Sequence, residues 1–211
     1  MNNRYLAVII LALIVILTII VFIFMNNAPK VNRETYEVND EFDNARTFSV
    51  YKDGNLVGFG NENGSWALLQ LAPSYSFGLK FDNIEISQGT EIKSAYIALY
   101  SIGTPINRYP NCKIYCDDTD NAVNFSKIGV LNISGRTYTE NYTLWNDTVE
   151  FEKWTNTPSL VASIQEVIDR KNWVAGNSIA FLFVSEGYLD YSATFQNFEN
   201  GYPAKLYVEW S

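Results

Sequence analysis

The chain contains no histidine and only two cysteines among its 211 residues. Without imidazole there is no Ser–His or Cys–His nucleophile, no His-ligated zinc and none of the commonest general base. Any chemistry would fall to carboxylates, tyrosines, lysines or a bound metal. Positive charge is scarce too: 15 Lys and Arg stand against 23 Asp and Glu, a net charge of −8. Nucleic acid and anionic lipid surfaces both call for a cationic face, so neither is an expected partner. Internal repeats and low-complexity segments are also missing.

Cys112 and Cys116, in "NCKIYC", cannot make a zinc site without further ligands. Four apart on a strand, they share a face but lie roughly 13 Å from each other at about 3.3 Å per residue. A disulfide needs α-carbons within about 7 Å. With Ile114 between them they read as an inward face carrying two buried thiols. A sharp local turn would instead let them pair, and an exterior location would favour oxidation.

One long hydrophobic run is present. From Tyr5 to Met25, "YLAVIILALIVILTIIVFIFM", Thr18 is the only polar interruption. About 20 such residues span a hydrocarbon core of roughly 30 Å. A cleaved signal peptide has an apolar region of only about 7–15 residues. Its cleavage site would also have to be Asn26-Asn27-Ala28, followed by Pro29. Residues 1–25 therefore read as an uncleaved signal anchor, a single transmembrane helix. Arg4 and the α-amino group on one flank nearly balance Lys30 and Arg33 on the other, so the positive-inside rule comes close to a tie. Sequons at Asn63, Asn124, Asn132, Asn141 and Asn146 tip the expectation toward an external body that carries N-glycans, although an Asn-rich chain makes some by chance. The expected location is the cell membrane, single-pass, with the C-terminal domain extracellular.

Residues 26–42, "NNAPKVNRETYEVNDEF", are polar and without apolar periodicity, and are expected to form a stalk. Residues 43–211 then give enough chain for one domain. Short alternating strands follow one another between turn residues. Phe77, Leu79 and Phe81 share a face, as do Ala95, Ile97 and Leu99, with Tyr96, Ala98 and Tyr100 opposite them. "SIAFLFVS" is apolar on both faces and predicts a central strand. "AKLYVEW" alternates Leu206, Val208 and Trp210 against Lys205, Tyr207 and Glu209. An all-β fold is expected, an antiparallel β-sandwich, jelly-roll-like, with one packed α-helix. That helix is predicted over 158–170, with Thr157 as N-cap, Pro158 in the first turn, and Leu160, Ile164, Val167 and Ile168 as the buried stripe. Arg170 and Lys171 suit its negative end. It reads as a structural plug, with Glu166 and Asp169 on its solvated face.

The runs "FGLKFDNIEISQGTEIKSAYIALYS", "CKIYCDDTDNAVNF", "NISGRTYTENYTLWN" and "TPSLVASIQEVIDRKNWVAGNSIAFLF" stand in one order across roughly Phe77 to Trp210. Together they resemble a β-sandwich accessory module of large secreted bacterial and archaeal surface proteins. In layout this module is similar to carbohydrate-binding-like jelly rolls, including those of the DNRLRE type. The resemblance implies a non-catalytic accessory or adhesion domain with no well-defined ligand. It also implies that Trp145, Trp154 and Trp173 are core aromatics. Two features depart from it. Cys112 and Cys116 replace an apolar residue and a glycine, and a single copy follows a membrane anchor.

Two clusters carry candidate chemistry. In "DDTDN", Asp117, Asp118, Asp120 and Asn121 offer hard oxygens to Ca²⁺, against the plainer reading of a turn that bonds its own backbone. No other cofactor is expected. Tyr96 and Tyr100 share one strand face, and Tyr188 and Tyr191 lie in "SEGYLDY". Such rings can stack on sugars, or simply pack beneath another sheet or loop. The leading expectation is a membrane-anchored, extracellular, non-enzymatic binding or adhesion module whose partner is a cell-surface glycan or envelope protein. A structural envelope or filament component is the first alternative. The second is a carboxylate-based glycan hydrolase, which would need two acids converging at about 5–10 Å.

Overall fold

Alternation of apolar and polar side chains, rather than helical periodicity, dominates the chain after residue 31, and the backbone follows it into two antiparallel sheets. The computed structural model describes residues 3–26, 30–40, 44–52, 55–63, 69–71, 75–102, 109–125, 133, 135–186 and 192–211. It divides into two units, Met1–Val31 and Asn32–Trp210.

The first unit holds helix α1, Asn3–Asn26. Neither Gly nor Pro interrupts it. Thr18 returns its hydroxyl to the Val15 carbonyl at 2.8 Å, so the one polar interruption of the Tyr5–Met25 run is satisfied within the helix. The described apolar side chains, from Ile10 to Ile23, are exposed. Among the described residues no helix is long and apolar enough to cross a membrane. In α1 the described side chains run unbroken only over 13–23.

In the second unit the strands are β1 (Asn32–Glu37), β2 (Asn44–Lys52), β3 (Asn55–Asn63), β4 (Leu69–Leu71), β5 (Tyr75–Ile84), β6 (Ile92–Ile102), β7 (Cys112–Cys116), β8 (Thr143–Trp145), β9 (Trp154–Asn156), β10 (Asn177–Ser185), β11 (Ala193–Phe195) and β12 (Lys205–Trp210). One sheet runs β1-β12-β6-β11-β4, with β9 also on β6; the other runs β3-β2-β5-β10-β7-β8. The two inner faces share one core. Phe77 of β5 stacks on Phe183 of β10 at 4.3 Å and meets Phe195 of the facing sheet at 6.1 Å. Trp145 stacks on the same Phe195 at 5.5 Å. The apolar strand "SIAFLFVS" is indeed central, between β5 and β7. Cys112 and Cys116 are free, buried thiols on the inward face of β7. Burial drives both far above the ordinary thiol range.

Two expectations change. Part of the stalk is strand: β1 pairs with β12 along its length, and Tyr36 and Val38 are buried. Only two apolar residues alternate there, too short a run to register against polar neighbours. Next, the helix is α2, Val161–Ile168, shorter than predicted. Thr157 does not cap it. The Thr157 hydroxyl accepts from the Ile97 amide at 3.0 Å, and its own amide donates to the Ile97 carbonyl at 2.9 Å. Sheet pairing thus wins over capping. The plug itself is as expected, with Leu160, Ile164, Val167 and Ile168 buried. The outer face of the second sheet is roofed. Ala122, Phe125 and Ile133 pack on Ala180 and Leu182 in a small second core.

Candidate functional site

The outer face of the first sheet carries exposed and half-buried side chains, and strand register arranges them in rows. Antiparallel pairing sets Arg33, Glu209 and Ser94 abreast, then Thr35, Tyr207 and Tyr96, then Glu37, Lys205, Ala98 and Asn156. In the next row Tyr100 faces Trp154. Since alternate residues of a strand share a face, all of these project from one side.

The rings in these rows form walls. Tyr96 and Tyr207 stack across β6 and β12, centroids 5.0 Å apart and planes 18° apart. In the row of Tyr100, Trp154 meets that ring edge-on at 5.7 Å, while Tyr202 stacks on it at 4.2 Å. A local turn delivers Tyr202. Asn197 accepts from the Asn200 amide to close the short 3-10 turn Phe198–Asn200, and Gly201 adopts φ 79°, a left-handed conformation open to glycine. Trp154 is 45% exposed, which corrects its assignment to the core; it lies on the outward face of a three-residue edge strand. Trp145 and Trp173 are core, as expected.

Between the walls lies a slot of about 360 Å³, lined by Tyr96, Tyr207, Trp154, Asn156, Lys205 and Ala98. Ala98 supplies its floor because its side chain is small. On the far side of the tyrosine pair is a second groove of about 460 Å³, reaching Arg33, Ser94 and Glu209. Charges on the face are paired: Arg33 with Glu209 at 2.6 Å, Lys205 with Glu37 at 2.9 Å. The Glu37 carboxylate raises the Lys205 amine above its ordinary range. The ammonium also stands 5.4 Å from the Trp154 ring centre, within cation–π reach.

Of the predicted tyrosines, Tyr96 and Tyr100 stand on this face, and Tyr188 and Tyr191 lie outside the described residues. The alternation of "AKLYVEW" had placed Lys205 and Tyr207 together on one face. Their register beside Tyr96 is a tertiary fact. Alternation had also set Ala98 on the face of Tyr96 and Tyr100, whereas no local signal marked Trp154 or Tyr202.

The aspartates do not converge on one point. Asp117 receives Arg136 at 2.5 Å, Asp120 receives Arg170 Nε at 2.8 Å, and Asp118 pairs with the same Arg170. Asn121 accepts from the Ser178 amide at 2.9 Å. Among the described residues no group of three acidic, thiol or imidazole ligands could hold a metal ion. Burial raises the Asp117 carboxyl, with Arg136 opposing it. The Arg170 hydrogen bond holds Asp120 below the usual range. Chemically the cluster fastens the roof: Arg136 also donates to the Val123 carbonyl at 2.7 Å.

Among the sequon asparagines, Asn146 is exposed and Asn124 half-buried. Asn141 is exposed but donates its amide to Glu166 at 2.8 Å. Asn63 belongs to β3, its side chain outside the described set, and Asn132 is not described.

No family model matches the chain, and no curated protein matches it.

Proposed function

We propose that this chain is a non-catalytic glycan-binding module of the cell surface, held at the membrane by α1 with its sandwich outside the cell. The observation that carries the binding reading is the slot: two aromatic walls over an alanine floor, with Lys205 and Asn156 at hand. Sugar rings lay their apolar faces on aromatic rings while their hydroxyls take polar partners, and this slot supplies both. The two carboxylates on the face, Glu37 and Glu209, are each engaged by a cation. That arrangement favours binding over acid–base catalysis, which needs a free acid and a free base. The jelly-roll likeness of the sequence points the same way. The anchor rests on the length of α1, whose 24 residues at about 1.5 Å each reach some 36 Å, and on the sequence from Tyr5 to Met25, apolar but for Thr18, as a membrane helix requires.

The test is a glycan array probed with the full chain in a detergent without sugar headgroups. Wild type should be retained. Trp154→Ala, which removes an exposed wall, and Ala98→Phe, which fills the floor, should lose retention while keeping the wild-type melting temperature. Tyr142→Ala, at an exposed ring on the second sheet, should bind as wild type does. No retention of folded wild type on any glycan would overturn the reading.

A further inference from the structure

Resting on that reading, we infer that the slot takes an internal stretch of a linear, uncharged polysaccharide, rather than a single sugar, a chain end or an acidic glycan. Charge argues first. The four charges of the face form two ion pairs, Arg33–Glu209 and Lys205–Glu37, so the face is neutral on a chain of net charge −8. An anionic chain would meet no free cation there and would be repelled by the rest of the molecule. A neutral chain loses nothing on either count.

Shape argues second. The walls stand four residues apart along β6, at Tyr96 and Tyr100, roughly 13 Å at about 3.3 Å per residue. The floor between them crosses three strands, from Lys205 over Ala98 to Asn156. That is two steps of about 4.8 Å, so the slot extends over roughly 10 Å along its walls. This exceeds what one sugar ring covers. Among the described residues both ends of the row are open to solvent. One end runs on to Glu37 and the other stops at Asn156, both exposed. A site for a chain end needs a blind wall; an open trough lets the polymer continue both ways. The second groove, beyond the Tyr96–Tyr207 pair, gives neighbouring units a further surface of the same neutral character.

Titration calorimetry of the full chain, in a zwitterionic detergent free of sugar, reads this directly. The probes are cellohexaose, laminarihexaose, chitohexaose and maltohexaose, the matching disaccharides and monosaccharides, and hexagalacturonate. At least one neutral hexasaccharide should bind, about tenfold or more tighter than its disaccharide, with the monosaccharide and hexagalacturonate undetectable. Blocking its reducing end should leave affinity within about twofold. Trp154→Ala should weaken the hexasaccharide about tenfold, a ring contact of the usual size. Equal affinity for monosaccharide and hexasaccharide, loss of binding when the end is blocked, or tighter binding of hexagalacturonate would overturn the inference and leave the glycan reading standing. Silence of folded protein toward every probe, and on the array, would overturn both.

Discussion

Gly78 shows how much a single position on a strand can be determined from a distance. A β-carbon built there would lie 2.5 Å from Cζ of Phe125 and 2.7 Å from Cε1, well inside contact. Phe125 belongs to the roof of the second sheet and is itself buried. Gly78→Ala should therefore destabilise by about 1–3 kcal/mol through overpacking, seen as a lower melting temperature. In a Phe125→Leu background the same substitution should cost clearly less. Equal costs in both backgrounds would mean that the ring moves freely aside. Another residue of the same strand is covered as well. Lys80 lies opposite Phe77, Leu79 and Phe81 in the alternation and so reads as solvated, yet it is only 2% exposed, paired with Asp82. Alternation tells two faces of a strand apart. Whether a segment some forty residues away covers the polar one is a tertiary event without local trace. Asp117, Asp118 and Asp120 follow the same logic: their turn is legible, but Arg136 and Arg170, which take the carboxylates, come from elsewhere in the chain.

Among the elements, α2 is the most legible and its surroundings the least. The stripe Leu160, Ile164, Val167 and Ile168 needs only helical periodicity, and all four are buried. Ile164→Asp places a charge at a fully buried position and should cost about 3 kcal/mol or more, read by chemical denaturation; a wild-type midpoint would mean that α2 does not close the core. The residues ahead of the helix extend along β6 instead of starting its first turn, a choice made by the free amides of that strand. On its outer side Glu166 accepts from the amides of Glu140 and Asn141 at 2.7 and 2.9 Å. Burial raises this carboxyl, but those donors more than offset it and leave it below its ordinary range. Asp120 is likewise lowered, chiefly by Arg170. Carboxyls lowered on folding add stability above their ordinary values, and that stability is lost as pH falls through the folded ones. Asp117, raised by burial, works in the opposite sense: its contribution fades as pH rises through its folded value. Melting temperature should thus drop below about pH 4, where free carboxyls protonate. Glu166→Gln combined with Asp120→Asn should make that drop shallower. An unchanged acid slope would show that the roof and its arginine ties do not govern acid loosening. Strand β1 is the least legible element, because its one buried residue, Tyr36, is outnumbered by charge and Val38 follows only after the strand ends.

At the scale of the whole molecule the question is where each part sits relative to a bilayer. We predict that the N-terminal side of α1 is cytoplasmic and that the unit beginning at Asn32 is outside. The Tyr5–Met25 stretch satisfies its backbone hydrogen bonds as a helix, one of the two forms that tolerate lipid, and Thr18 keeps its hydroxyl on the Val15 carbonyl. The described strands after it alternate polar with apolar residues and bury most of the apolar ones against each other. Basic residues flank the helix almost equally, which leaves charge a weak guide. Orientation then rests on the acidic body, its sequons and the aromatic face proposed above to bind glycans, each of which would have its use outside. The measurement is proteolysis of intact cells expressing the full chain with an epitope after Ser211. Protease should remove the epitope and leave a membrane fragment that contains α1. An intact epitope until the cells are lysed would put the sandwich in the cytoplasm and remove its access to surface glycans. Release of the whole chain by carbonate washing alone would show that α1 does not anchor it.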